Sequence, residues 1–214
     1  MALRKTILAN GETYHIFNRS VQGVRIFRGR REGEIFVEAM RFYLQPRPPT
    51  KFSKYRLSRD RYPIKVDEPL VTIINFCLMP NHFHFTLRQE KEEGIRKFIQ
   101  RLLNSFAHYF SVKYKNRGPV FEGNFKAVRV ENDEQLVHLS RYIHLNPVTA
   151  CLVNKPEEYW HSSYRAYLDK EDLDFVDPTL VLDQFSSRRR YREFVLSQRD
   201  YQMSLDKIKH LMME

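Results

Sequence analysis

At 214 residues the chain can bury one sizeable core and carry a smaller appendage, and its length does not favour two full-sized domains. Lys and Arg outnumber Asp and Glu by 36 to 26, a formal charge of +10, and 14% of residues are aromatic, a pairing that suits a nucleic-acid partner. No run nears the roughly 18 uninterrupted apolar residues of a membrane span, Met1-Ala2-Leu3-Arg4-Lys5 does not open a signal peptide, and Cys77 and Cys151 stand far apart, so a cytoplasmic protein with reduced thiols and no membrane contact is expected.

Tyr14-His15-Ile16-Phe17-Asn18 alternates and is rich in β-formers, which predicts a strand. From Gly33 to Leu44, Phe36, Ala39, Met40 and Tyr43 recur at helical spacing until Pro46 ends the pattern. The stretch 45–68 then mixes Pro46, Pro48, Pro49 and Pro63 with Arg47, Lys51, Lys54, Arg56, Arg59, Arg61 and Lys65, and a long basic loop is expected there. Contact with a phosphate backbone and a plain solvated linker are equal readings of it.

Val71 to Leu78 is a nearly continuous β-prone run, Met79-Pro80-Asn81 supplies a turn, and His82 to Leu87 resumes as an alternating strand, together a central hairpin. Gly94 to Lys115 places Ile95, Phe98, Ile99, Leu102, Leu103, Phe106 and Phe110 on one stripe of a long amphipathic helix that Gly118-Pro119 stops. Phe125 to Val130 reads as a further strand. Asn132, with Gln135 three residues on, starts a last helix in the manner of a capping box, and Pro147 is expected to close it near Asn146. Beyond Pro156 come short helical pieces, including Arg188-Arg189-Arg190, with no internal repeat. The order strand, helix, strand, strand, helix, strand, helix describes an α+β chain: a ferredoxin-like antiparallel sheet with helices on one face, an added helix and a helical tail.

Strand alternation sends His82 and His84 out of the same face, with Cα atoms roughly 6.5 to 7 Å apart, while Phe83 and Phe85 point into the core. Two neutral imidazoles so placed can chelate one divalent cation, and a polar strand face is the bland alternative. In the last helix His138, Tyr142 and Asn146 recur every four residues, so a phenol and an amide share a stripe beside the apolar Leu136, Leu139 and Ile143. A tyrosine hydroxyl hydrogen-bonded at the edge of a core would look the same. No Gly-rich phosphate loop, cysteine quartet, H-E-x-x-H or G-x-S-x-G is present.

Leu78-Met79-Pro80-Asn81-His82-Phe83-His84, Pro119-Val120-Phe121-Glu122-Gly123-Asn124-Phe125-Lys126, Arg141-Tyr142-Ile143-His144-Leu145-Asn146-Pro147-Val148 and the later Trp160-His161-Ser162-Ser163-Tyr164 carry a family likeness. In these motifs the chain resembles the IS200-like single-tyrosine (Y1) transposases of the HUH class, especially the REP-associated tyrosine transposases, over roughly Thr13 to Leu168. The resemblance implies a catalytic domain over 1–155 with 45–68 inserted, and a helical extension over 156–214. It implies that Tyr142 is the nucleophile and that His82, His84 and Asn146 hold a divalent metal, Mg²⁺ or Mn²⁺. It implies a single-stranded DNA substrate with hairpin structure and a 5′-phosphotyrosine intermediate; a homodimer stays open beside a monomer.

An exposed strand would be gripped by base stacking on aromatics and by cations along the backbone, for which Arg96, Lys97, Arg101, Lys126 and Arg129 are the candidates, each equally readable as a solvated charge. Two other classes compete: a domesticated, non-catalytic nucleic-acid-binding protein of the same fold, and a metal-dependent hydrolase in which Tyr142 only positions substrate.

Overall fold

The computed structural model describes residues 6–64 and 66–199. Met1 to Lys5, Lys65 of the basic stretch and the last part of the expected helical extension lie outside the described residues.

Four strands, β1 (Thr13–Arg19), β2 (Val71–Met79), β3 (His82–Gln89) and β4 (Lys126–Arg129), form one sheet in the order β2-β3-β1-β4, antiparallel throughout. The expected β2–β3 hairpin forms and closes on the two residues Pro80 and Asn81, with Met79 opposite His82, but it is not central: β3 is an inner strand, whereas β2 lies at the edge of the sheet. β1 lies on the other side of β3, with Phe17 opposite His84 and His15 opposite Thr86. This is the ferredoxin-like arrangement predicted from the element order.

The two faces of the sheet are dressed differently because successive side chains alternate. Phe83, Phe85 and Leu87 meet α1 (Arg30–Tyr43) and α3 (Gly94–Tyr114) in the main core. There the Phe36 ring lies 5.9 Å from Phe83, 6.4 Å from Phe85 and 5.0 Å from Phe106. On the opposite face α4 (Asp133–Thr149) lays Ile143 and Leu139 against Cys77 and Met79.

Asn132 caps α4, its side chain accepting the Gln135 N–H at 2.9 Å, while the Gln135 amide oxygen accepts the Glu131 N–H. The helix does not end at Asn146. Pro147 lies inside it, and the coil runs on to Thr149 before the Ala150 N–H closes on the Asn146 carbonyl at 3.0 Å. Proline has no N–H to donate to the carbonyl one turn back, and the helix continues past it nonetheless.

The basic stretch also departs from expectation, for it is not a bare loop. It holds α2 (Phe52–Leu57) and a 3₁₀ turn over Arg59–Arg61. Phe52 and Tyr55, one helical turn apart, are buried against Phe42, with ring centroids 5.5 and 4.8 Å away. Arg56 and Arg59 both pair with Glu38 on α1, so part of the charge that suggested a phosphate contact is spent inside the protein.

Past Pro156 the chain runs beside β2, where Leu78 donates its N–H to the His161 carbonyl (2.8 Å) and Ser163 donates to the Phe76 carbonyl (3.0 Å). It continues through α5 (Tyr164–Tyr167), α6 (Thr179–Leu182) and α7 (Arg188–Leu196). Tyr164, Tyr167, Val181, Tyr191 and Val195 form a second core with Ile74 of β2 and Leu136 and Leu145 of α4. Gly33 makes room for the segment on the far side: a Cβ there would sit 2.2 Å from the His161 ring. Cys77 is buried, Cys151 exposed, and neither is in a disulfide. Among the described residues no helix is long and apolar enough to cross a membrane.

Candidate functional site

His82 and His84 leave β3 on the α4 side, their ring centroids 5.0 Å apart and nearly perpendicular at 87°. The His82 ring is set by its neighbour in the turn, its Nδ1 lying 2.7 Å from the Asn81 side-chain oxygen. His84 is set by β1: its Nδ1 lies 2.9 Å from Nε2 of His15. Burial, followed by the neighbouring His82 and His15, holds His84 well below the ordinary imidazole range, and burial pushes His15 down to about 4. Both rings are therefore neutral at pH 7, the state in which imidazole offers a lone pair to a cation.

Tyr142 stands on α4 with 39% of its surface exposed, whereas Tyr14, Tyr164, Tyr167 and Tyr191 are all at 1% or less. Its ring meets His84 edge-on at 5.5 Å and His15 at 6.4 Å. Leu139 and Ile143 turn into the sheet and fix the roll of the helix, which brings the intervening Tyr142 to the rim of the histidine face. One turn later Asn146, 8% exposed, donates from Nδ2 to the Tyr142 carbonyl at 2.9 Å, leaving its side-chain oxygen as the lone-pair atom for a cation. The donor set is thus two imidazoles and one amide; among the described residues no group of three or more His, Cys, Asp or Glu side chains is placed to hold a metal ion.

His138 does not join this stripe. Its Nδ1 accepts from Arg141 at 2.7 Å and its ring packs 5.7 Å from Phe194 of α7, because the helical tail covers that side of α4. Sequence reasoning also passed over His144, which is fully buried between Tyr142 and Asn146 in the chain. Its Nδ1 lies 2.6 Å from the Tyr191 hydroxyl and its Nε2 2.9 Å from the Ser163 hydroxyl. Ser163 in turn accepts the Phe76 N–H of β2 at 2.9 Å, and Tyr191 reaches Ser140 at 3.2 Å. Burial pushes His144 down to about 3, so it is a neutral bolt joining sheet, tyrosine helix and tail. His15 was the other omission. Its alternation with Ile16 puts it on a polar face, yet only the β1–β3 register shows that this is the face of His84.

The expected DNA-contacting cations divide between the two sides of the sheet. Arg96, Lys97 and Arg101 ride on α3, across the sheet from Tyr142. Arg96 pairs with Glu93, Lys97 donates to the Glu92 carbonyl, and Arg101 donates to the carbonyls of Gln45 and Pro46. Arg129, opposite Tyr14, pairs with Glu12. Lys126 is opposite Phe17 on β4, on the histidine face, with its ammonium 5.9 Å from the centre of the Phe17 ring.

Residues 65–146 match the family model described as "Transposase IS200 like", a span that includes His82, His84, Tyr142 and Asn146. No curated protein sequence matches the chain. Among solved structures, a REP-associated tyrosine transposase bound to a REP hairpin is similar at a TM-score of 0.51 and 13% identity, over 83% of this chain and 98% of that one, a likeness of fold. A bacterial tRNA(His) guanylyltransferase-like protein in complex with ATP superposes at a TM-score of 0.41 and 7% identity, over 82% and 76% of the two chains, too loosely to carry an argument. The resemblance read from the motifs is borne out: residues 65–146 match the IS200-like transposase model, and the α+β fold is similar to that of a REP-associated tyrosine transposase.

Proposed function

We propose that this protein is a metal-dependent single-strand DNA transposase or endonuclease that cleaves and rejoins DNA through a covalent bond to Tyr142. The observation that carries the reading is the meeting, on one face of the sheet, of an exposed tyrosine with two strand histidines, of which burial keeps His84 neutral, and an amide one turn further along the same helix. Such a phenol has no structural need to stand at the rim of a buried imidazole pair, whereas a nucleophile must be both reachable and fixed.

His82, His84 and the Asn146 amide oxygen are the groups that would hold Mg²⁺ or Mn²⁺. Imidazoles with their Nδ1 atoms already engaged, His84 kept neutral by burial, and an amide oriented by its own N–H suit that task. A divalent cation there would supply Lewis-acid stabilisation of the charge that grows on a scissile phosphate. The Tyr142 oxygen forms a bond to phosphorus while the bond from phosphorus to the 3′ oxygen breaks; the phenol gives up its proton and the departing 3′ oxygen gains one. A 5′-phosphotyrosine and a free 3′-hydroxyl result, and attack by a 3′-hydroxyl on that linkage reverses the step with the phosphodiester energy conserved.

Single-stranded DNA with hairpin structure is the proposed substrate. The net charge of +10 and the Lys126–Phe17 pair beside the histidines suit a backbone and its unstacked bases. The domain reading follows: 1–155 carries the chemistry, and 156–214 supports it by holding α4 through its described part. The test is incubation of the full chain and of Tyr142→Phe with labelled hairpin-flanked single strands, with Mg²⁺ or with EDTA, followed by a denaturing gel. A covalent adduct that needs both Mg²⁺ and Tyr142 is expected. Metal-dependent cleavage without an adduct would point to a hydrolase, and binding without cleavage to a domesticated binding protein.

A further inference from the structure

His15 sits on β1 opposite Thr86, and therefore diagonal to His84 on the adjoining strand, close enough for long side chains to meet. The contact is a hydrogen bond of 2.9 Å between His15 Nε2 and His84 Nδ1, with the rings stacked at 21° and their centroids 5.2 Å apart. Phe17 backs His15 from the same strand at 4.8 Å, so the ring that meets His84 is itself held.

A bond between two imidazole nitrogens needs one hydrogen, and its direction matters. If His15 donates, a neutral His84 carries its only proton on Nε2 and that nitrogen cannot bind a cation. If His84 donates from Nδ1, the lone pair is on Nε2. The neighbouring histidine shows which arrangement the site is built for. The Asn81 amide is turned so that Nδ2 donates to the Gly23 carbonyl, which leaves its oxygen facing Nδ1 of His82; an oxygen can only accept, so His82 carries its proton on Nδ1. Two ligands presenting the same nitrogen to one cation need the same tautomer.

We infer that His15 is a positioning residue of the site: its Nε2 accepts the Nδ1–H of His84 and fixes that ring in the tautomer and orientation that present Nε2 to a divalent cation. This rests on the reading of His84 as a ligand given above. It assigns to His15 the task that a carboxylate or a carbonyl performs behind many metal-bound histidines. The strand order makes the assignment possible, because β1 is hydrogen-bonded to β3 and cannot drift relative to it.

The first measurement needs no substitution. Long-range ¹H–¹⁵N spectra of the full chain labelled in histidine, with the His84 signals identified from His84→Gln, are expected to show His84 protonated on Nδ1; a proton on Nε2 would overturn the inference. The second is Mn²⁺ binding followed by electron paramagnetic resonance without DNA. His15→Ala is expected to weaken binding by the folded chain about 10-fold, measured well below its melting temperature, and His15→Gln, whose amide oxygen can accept the same hydrogen, to recover most of the loss. Wild-type Mn²⁺ affinity in His15→Ala would also overturn it, since a ring that only fills space between Phe17 and Tyr142 would leave the affinity alone. If His15→Ala does not fold, the His84 tautomer and His15→Gln still decide. Failure of the wild-type chain to bind Mn²⁺ would instead sink the metal reading of His82 and His84, a result distinct from either outcome for His15.

Discussion

The two faces of the sheet are held by different forces. Toward α1 and α3 the contacts are phenylalanine rings: Phe36, Phe83, Phe85 and Phe106 are buried together with no polar partner to satisfy. Toward α4 the buried groups include His84, Thr86, Asn75, Ser140, His144 and Ser163, tied by directed bonds such as Thr86 to Asn75 at 2.8 Å. An apolar face is stabilised in proportion to area and tolerates changes that conserve volume. A polar face holds each group to particular partners, and an unmade bond there is costly. Stability therefore resides mainly on one side of β3 and positional precision on the other, with consecutive residues of one strand serving each.

Adjacent residues on that strand give the sharpest way to break the comparison. His84→Ala is expected to cut metal-dependent cleavage by on the order of 1,000-fold or more, as loss of a group acting within a catalytic unit does, while lowering the unfolding free energy by about 1–2 kcal/mol. Phe85→Ala should do the reverse: about 3–5 kcal/mol of stability lost, with cleavage per folded molecule retained at low temperature. Urea unfolding alongside single-turnover cleavage of the two variants checks both, and equal stability losses would mean that the two faces are not divided as described.

His144 tests whether the tail contributes to that precision. His144→Ala removes a buried ring that joins Tyr191, Ser163 and thereby β2, and should cost about 2–4 kcal/mol. Because the bolt lies between Tyr142 and Asn146, cleavage should fall further than the folded fraction does. A variant whose activity merely tracks its folded fraction would show that His144 serves stability alone.

This division explains what was legible beforehand. The Phe face was plain because the apolar stripes of α1 and α3 repeat at one period, and the His82–Phe83–His84–Phe85 alternation announced both faces at once. Tyr142 and Asn146 could be grouped because one helical turn separates them. His15 and Ser163 could not, since their partners His84 and His144 lie 69 and 19 residues away and only strand register and tail docking bring them close. The short helix in the basic stretch was hidden for a related reason: Phe52 and Tyr55 make a single turn of apolar spacing, too brief to rise above the surrounding Pro, Lys and Arg.

The polar face should also yield first to acid. Burial holds His144 at about 3 and His15 at about 4, against 6.5 in an unfolded chain. Below pH 6.5 the unfolded state therefore binds protons that the folded state refuses. The stability these rings contribute is complete above 6.5 and is lost as the pH falls toward their folded values. Each should cost about 1.4 kcal/mol between pH 7.5 and 5.5. His144→Gln should remove one such share, flattening the dependence of the urea midpoint on pH; an unchanged slope would show that His144 is not excluded from protonation in the folded protein.

The smallest effect concerns the path proposed for DNA over the polar face. Lys126 shares that face with Phe17 and His84, whereas Arg96 rides on α3 behind the sheet and is paired with Glu93. If the strand crosses the histidine face, Lys126→Ala should weaken binding of single-stranded hairpin DNA by about 3- to 5-fold and lower the slope of log affinity against log salt by about 1, the signature of one lost phosphate contact. Arg96→Ala should change both by little. Fluorescence anisotropy over a range of salt concentrations separates the two variants, and a larger loss for Arg96 than for Lys126 would move the DNA path to the α3 side. The apolar face would then have a second use, and Tyr142 would have to be reached around the edge of the sheet at β4.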